Sequence, residues 1–194
     1  MSLVGPNSSG WAANDMTVGG LAWVNPANVY SSDIVYASIS YSPDVYLPYT
    51  TSYYLKATNF NFNIPVNSTI LGIVAKIEKK KYTTVINHDV IDYSVKLCKA
   101  GIVGGNNKAK AGFWPSSNGI YQYGGASDLW GLSLTAADIM NSGFGIAISA
   151  SIGDIYYVGG VYGNTVYGYI DHINLTVYFQ AHIPYQIIQI HDEI

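Results

Sequence analysis

The chain has 194 residues, with 9 Lys+Arg against 12 Asp+Glu, 20 Gly, 18 Tyr and one Cys. That length sets one domain able to bury a core of its own without a metal or a disulfide, and Cys98 has no second thiol to pair with. Every basic residue is Lys; a net charge of −3 without Arg lacks both the basic field that grips phosphates and the fork that reads guanine, which excludes nucleic-acid binding.

Residues 1 to about 20 are rich in Gly, Ser and Asn around Trp11, without a sustained period, and read as an N-terminal arm ordered by a partner. They show neither the positive nor the apolar region of a secretory signal, and no apolar run reaches the 18 residues of a membrane span, so membrane insertion is not expected. From Ile34 the rhythm is two. Ile34 to Tyr41 is a short strand ended by Ser42-Pro43-Asp44. Ser52 to Ala57 and Phe60 to Ile64 read as one strand, with a fault near Thr58-Asn59 where the apolar phase changes from odd to even.

Thr69 to Lys79 places Leu71, Ile73, Ala75 and Ile77 on one face and Lys76, Glu78 and Lys80 on the other. The run Glu78 to Lys81 reads as a solvated turn between strands, with a polyanion contact as the alternative. In Asp89 to Lys99 the inward set is Ile91, Tyr93, Val95 and Leu97, and Cys98 falls on the polar face. Gly101 to Leu132 is a loop excursion. Thr135 with Asp138 predicts a capped helical turn over Ala136 to Met140. Phe144, Ile146, Ile148, Ala150 and Ile152, then Ile173, Leu175, Val177 and Phe179, complete the alternation. Seven to nine half-buried strands predict an all-β chain, an antiparallel β-sandwich of jelly-roll type over residues 21–180 with one short helix.

Reactive constellations are absent from the pattern. His88-Asp89, Asp171-His172 and His191-Asp192 are adjacent pairs, and neighbours on a strand point to opposite faces. Glu occurs only at Glu78 and Glu193, so a paired-carboxylate site would need Asp residues whose environments the sequence does not reveal. No enzyme and no cofactor or metal is expected; calcium at Asp33 or Asp128 is the weaker alternative to structural roles for both. Asp171, on the inward phase of its strand, should accept backbone N–H groups from a loop. The triplets at Asn7, Asn67 and Asn174 read as chance. Trp114, Tyr121, Tyr123, Asp128 and Trp130 form the candidate ligand or partner loop, against the plainer reading that the two indoles fill the end of the sandwich.

Several segments taken in order carry a family resemblance. They are Trp23-Val24-Asn25-Pro26-Ala27-Asn28, Tyr54-Leu55-Lys56-Ala57-Thr58-Asn59-Phe60, Thr69-Ile70-Leu71-Gly72-Ile73 and Gly105-Asn106-Asn107-Lys108-Ala109. Then come Tyr123-Gly124-Gly125-Ala126-Ser127-Asp128-Leu129-Trp130-Gly131, Leu134-Thr135-Ala136-Ala137-Asp138-Ile139 and Ile170-Asp171-His172-Ile173. Over about residues 21–180 the chain resembles a group of largely uncharacterised tailed-bacteriophage and prophage virion proteins with a β-sandwich body.

The resemblance implies a non-enzymatic structural or adhesive component of a bacteriophage virion, of the tail-fibre, receptor-binding or capsid-decoration type. Its partners would be other virion proteins and copies of itself, and its location the particle, made in the host cytoplasm. Where the family pattern ends after Phe179, this chain continues as an apolar tail over residues 181–194, whose Tyr185, Ile187, Ile188 and Ile190 are the candidate assembly residues. The alternative function is a carbohydrate-binding module that attaches to host-surface glycan through the aromatic loop; a glycan-cleaving depolymerase is the least favoured.

Overall fold

The computed structural model describes residues 1–43, 49–84, 87–154 and 164–182. Two antiparallel sheets pack face to face in the expected all-β sandwich of jelly-roll type. The first contains β1 (Ser2–Ser8), β3 (Ala37–Tyr41), β6 (Thr69–Tyr82), β9 (Gly119–Gly124) and β11 (Val166–Gln180), in the order β1-β11-β6-β9 with β3 also on β11. The second contains β2 (Trp11–Asp15), β4 (Tyr49–Thr51), β5 (Tyr54–Thr58), β7 (His88–Lys99), β8 (Ile102–Gly104) and β10 (Gly145–Asp154), in the order β2-β5-β10-β7-β8 with β4 also on β10. Among the described residues no helix is long and apolar enough to cross a membrane.

The alternation of β10 and β11 supplies the middle of the core: Ile146, Ile148, Ala150, Ile152, Ile173, Leu175 and Val177 are all fully buried. At the helical turn, α1 (Ala136–Met140), Thr135 and Asp138 form the expected capping box. Burial of Ala136 and Ile139 fastens it over one end.

Strand boundaries and faces depart from expectation in several places. The first 15 residues do not stand off as an arm: β1 pairs with β11 and β2 with β5, so they close one edge of each sheet. Phe60, Phe62 and Ile64 are buried as their phase requires, yet they do not prolong β5. Asn59 and Asn61 take left-handed backbone conformations, which a continuous strand does not allow. Gly101 to Leu132 includes the strands β8 and β9.

Three one-residue bulges explain the remaining differences. In β7, Asp92 pairs with Ala150 and Ser94 with Ser149, leaving Tyr93 as the extra residue. The inward set therefore changes from even to odd: Val90 and Asp92 point in, then Val95 and Leu97, while Tyr93 is exposed. In β6 the extra residue is Leu71, between Ile70 and Gly72, so buried Ile70 replaces it in the core. In β11 it is Asp171. Cys98 is fully buried rather than on a wet face, in a satellite cluster with Tyr54 and Ala147 covered by Val18 and Val103. Glu78 to Lys81 is strand, not turn, and Lys79 follows the inward phase of Ile73, Ala75 and Ile77 into the core.

Candidate functional site

The structure divides the residues of the candidate aromatic loop. Trp114 and Tyr123 converge at 2% and 1% exposure, so neither offers a ring face to solvent. Trp130 is fully buried elsewhere, its indole N–H donating to the Ile73 carbonyl at 3.0 Å. Gly124, left-handed at the end of β9, makes room for it, because a Cβ there would run into that carbonyl and the indole nitrogen. Asp128 accepts the Trp130 backbone N–H at 2.8 Å and pairs with Lys108 at 2.7 Å. The two indoles thus fill the sandwich, as the plainer reading had it. Tyr185, Ile187, Ile188 and Ile190 lie outside the described residues.

Trp114 and Tyr123 belong to a buried polar cluster centred on Lys79 and Asp92. Lys79 comes from β6 in the first sheet and Asp92 from β7 in the second, and their side chains are 2% and 1% exposed. Lys79 Nζ donates to Asp92 Oδ1 and, at 2.6 Å, to the Tyr123 hydroxyl. That hydroxyl donates to Asp92 Oδ2 at 2.8 Å, Trp114 Nε1–H to Oδ1 at 2.8 Å, and the Lys110 backbone N–H to Oδ2 at 3.1 Å. Ring faces enclose the ammonium, with centroids 4.7 Å away for Trp114, 4.7 Å for Tyr121 and 5.4 Å for Tyr123. Burial pushes the lysine below its ordinary range despite the facing carboxylate. Burial first, and then the negative charge of Asp92, pushes the Tyr123 phenol up. The inward phase of β6 carried the signal for Lys79; Asp92 depended on a bulge that the pattern does not locate.

The second aromatic group is open to water. On the outer face of the first sheet, Tyr167 and Tyr169 of β11 stack at 5.9 Å with planes 5° apart. Tyr82 of β6 packs on Tyr167 at 6.1 Å, and Tyr36, just before β3, on Tyr169 at 5.2 Å. Lys80 Nζ lies 4.3 Å from the Tyr36 centroid and 5.6 Å from that of Tyr169. With Lys81 and Ser116 four of these residues, Tyr36, Lys80, Tyr82 and Tyr169, line a groove of about 390 Å³. The Val166-Tyr167-Gly168-Tyr169-Ile170 alternation was the available signal, since i and i+2 share a face.

The loop that leads to Tyr36 is held by the bulge residue of β11. Asp171 Oδ1 accepts the backbone N–H groups of Asp33 at 3.3 Å and Ile34 at 3.0 Å, the loop-holding role expected of it, and Oδ2 accepts from Asn118 Nδ2 at 3.2 Å. Burial pushes the carboxyl up and those N–H groups pull it back, leaving it raised. Ser32 Oγ ties the same loop to Glu78 at 2.8 Å. Ile34 sits at φ +68°, a left-handed conformation that costs a β-branched residue about 1–3 kcal/mol. Asp33 is occupied by Ser31 Oγ and the Val35 N–H.

A separate cleft of about 430 Å³ lies beside Trp11, which is 46% exposed, and is rimmed by Lys56, Thr58, Asn59 and Ser142. Its lysine is engaged by Asp15 at 2.7 Å and by the Gly101 carbonyl at 3.2 Å.

No protein-family model and no curated protein matches the chain. A solved structure named BiXyn10A CBM1, in its apo form, is similar with a TM-score of 0.36 and 9% sequence identity, over 88% of this chain and 99% of that one.

Proposed function

We propose that the chain is a non-enzymatic recognition module, and that the groove of Tyr36, Lys80, Tyr82 and Tyr169, flanked by Tyr167, holds the rings of a glycan. The observation that carries this reading is the parallel stack of Tyr167 and Tyr169 on an outward sheet face, extended by Tyr36 and Tyr82. Tyrosine combines an apolar body with a polar tip, so such a row meets the C–H face of a sugar while its hydroxyls reach ring substituents. Lys80 adds donors for ring hydroxyls or a carboxylate. This places the ligand on the sheet face instead of the Trp114 to Trp130 loop. The setting we propose is an adhesive component of a virion, from the resemblance over residues 21–180.

A glycan array followed by calorimetry on the best ligand tests the reading. Changing Tyr167 and Tyr169 together to Ala removes binding, whereas Trp11→Ala leaves it unchanged. Undiminished binding by the double variant overturns the groove, and loss in Trp11→Ala transfers the site to the cleft.

Particle assembly is the second reading, favoured by β1 and β9. They end the first sheet and carry Leu3 at 57% and Ile120 at 67% exposure. Light scattering of the full chain against a version ending at Gln180 tests the tail's part in it. Two monomers with equal melting temperatures remove that part.

A further inference from the structure

The buried pair does more than neutralise two charges. Lys79 and Asp92 come from opposite sheets, touch directly, and are sealed by Trp114, Tyr121 and Tyr123. A site this dry favours the uncharged amine, because the ammonium loses its hydration there. That is the form that attacks a carbonyl carbon. Contact between the two side chains replaces a collision in solution, and effective molarities of about 10⁵ M or more are reached in well-oriented intramolecular reactions. The neighbours are disposed as such a reaction requires: two donors approach each carboxyl oxygen, and one hydroxyl bridges the nitrogen and Oδ2.

We propose that Lys79 and Asp92 condense into an intramolecular isopeptide bond that joins β6 to β7 across the sandwich, with Tyr123 relaying the proton. The ammonium first passes one proton through the Tyr123 hydroxyl to Oδ2. Nζ of the resulting amine attacks Cγ; the N–C bond forms and the carbonyl π pair moves onto Oδ1, where the Trp114 indole N–H stabilises it. The Tyr123 hydroxyl then accepts a second proton from the nitrogen and delivers its own to Oδ2. The lone pair on Oδ1 re-forms the carbonyl, the Cγ–Oδ2 bond breaks, and Oδ2 departs as water, assisted by the Lys110 N–H. One ammonium and one carboxylate give one amide and one water, with no change of oxidation state and no co-reactant. The product retains a carbonyl to accept from Trp114, removes two buried charges, and links sheets that no disulfide joins, since Cys98 is the only thiol. This inference is independent of the glycan reading.

Intact-mass spectrometry of the purified full chain, denatured after folding, is the test. The expected mass is one water below that of the sequence, and trypsin yields a branched fragment in which residues 77–80 are attached to residues 82–96. Lys79→Arg keeps the cation and restores the full mass; Tyr123→Phe keeps the ring and slows cross-linking about a hundredfold. A wild-type chain that holds its full mass after prolonged incubation in the folded state overturns the proposal, as does a lost water that maps elsewhere. Cross-linking at the wild-type rate in Tyr123→Phe overturns the relay. If either variant fails to fold, the wild-type mass and fragment map still decide.

Discussion

Lys79 and Lys80 are neighbours on one strand, and each is surrounded by aromatic rings, yet they occupy opposite environments. Lys79 is enclosed by Trp114, Tyr121 and Tyr123 with all its polar contacts inside the protein; Lys80 rests on Tyr36 and Tyr169 at a groove open to water. The pleat alone separates them, since successive side chains leave a strand on opposite faces. Inside, the rings exclude water and the lysine must find a fixed acceptor. Outside, equivalent rings keep a free face and the lysine remains available to a ligand. Aromatic content therefore marks binding only once the side of the sheet is known.

The contrast can be broken most directly at Asp92. Asp92→Ala leaves Lys79, the Trp114 indole and the Tyr123 hydroxyl without their acceptor, and should cost about 3–5 kcal/mol in urea unfolding. Cys98 gives an independent reading. Its thiol is buried and pushed up to about 12, chiefly by burial, so it reacts with a thiol reagent only when the fold opens. Labelling should accelerate by about a hundredfold to a few thousandfold in Asp92→Ala, given about 1.4 kcal/mol per factor of ten, and hardly at all in variants of the outer group. Equal labelling rates would show that the inner cluster contributes nothing special.

Asp171→Ala should cost about 1–3 kcal/mol by leaving two loop N–H groups without an acceptor. It should also weaken glycan binding several-fold, because the loop leading to Tyr36 is no longer held. Unchanged affinity would make Tyr36 a bystander. The paired change of Tyr167 and Tyr169 to Ala should shift stability by less than about 1 kcal/mol while removing the ligand, the reverse of the Asp92 result. Lys80→Ala should move stability by no more than about 0.5 kcal/mol, because its ring contacts are wet. A loss comparable to that of Asp92→Ala would erase the distinction between the two lysines.

The sandwich was legible wherever the two-residue rhythm was uninterrupted. Ile146 to Ile152 and Ile173 to Phe179 occupy the core as their alternation requires, and the Thr135–Asp138 cap followed from side-chain chemistry alone. Tyr93 shows what was hidden. An inserted residue keeps the local composition while putting the side chains before and after it in opposite phase. The phase of Val95 and Leu97, carried back across it, made Asp92 read as outward when it points to the centre. β1 and β2 are short, without a buried face, and their pairing is with strands distant in the chain, β11 and β5. Lys79 was on the inward phase, but its charge suggested water. Asp171 was read correctly because its role required only a buried acceptor near unpaired N–H groups.

The 15 residues of β11 hold β1, β3 and β6 together, which has a bearing on biosynthesis. While the chain leaves the ribosome, β1 and β3 have no ladder to join, and β6 has only that of β9, until residues 166–180 have emerged, so the first sheet closes only when translation is far advanced. The nascent chain passes that interval with its apolar strands uncovered. Slowing translation after β10 should therefore raise the share of the product that aggregates.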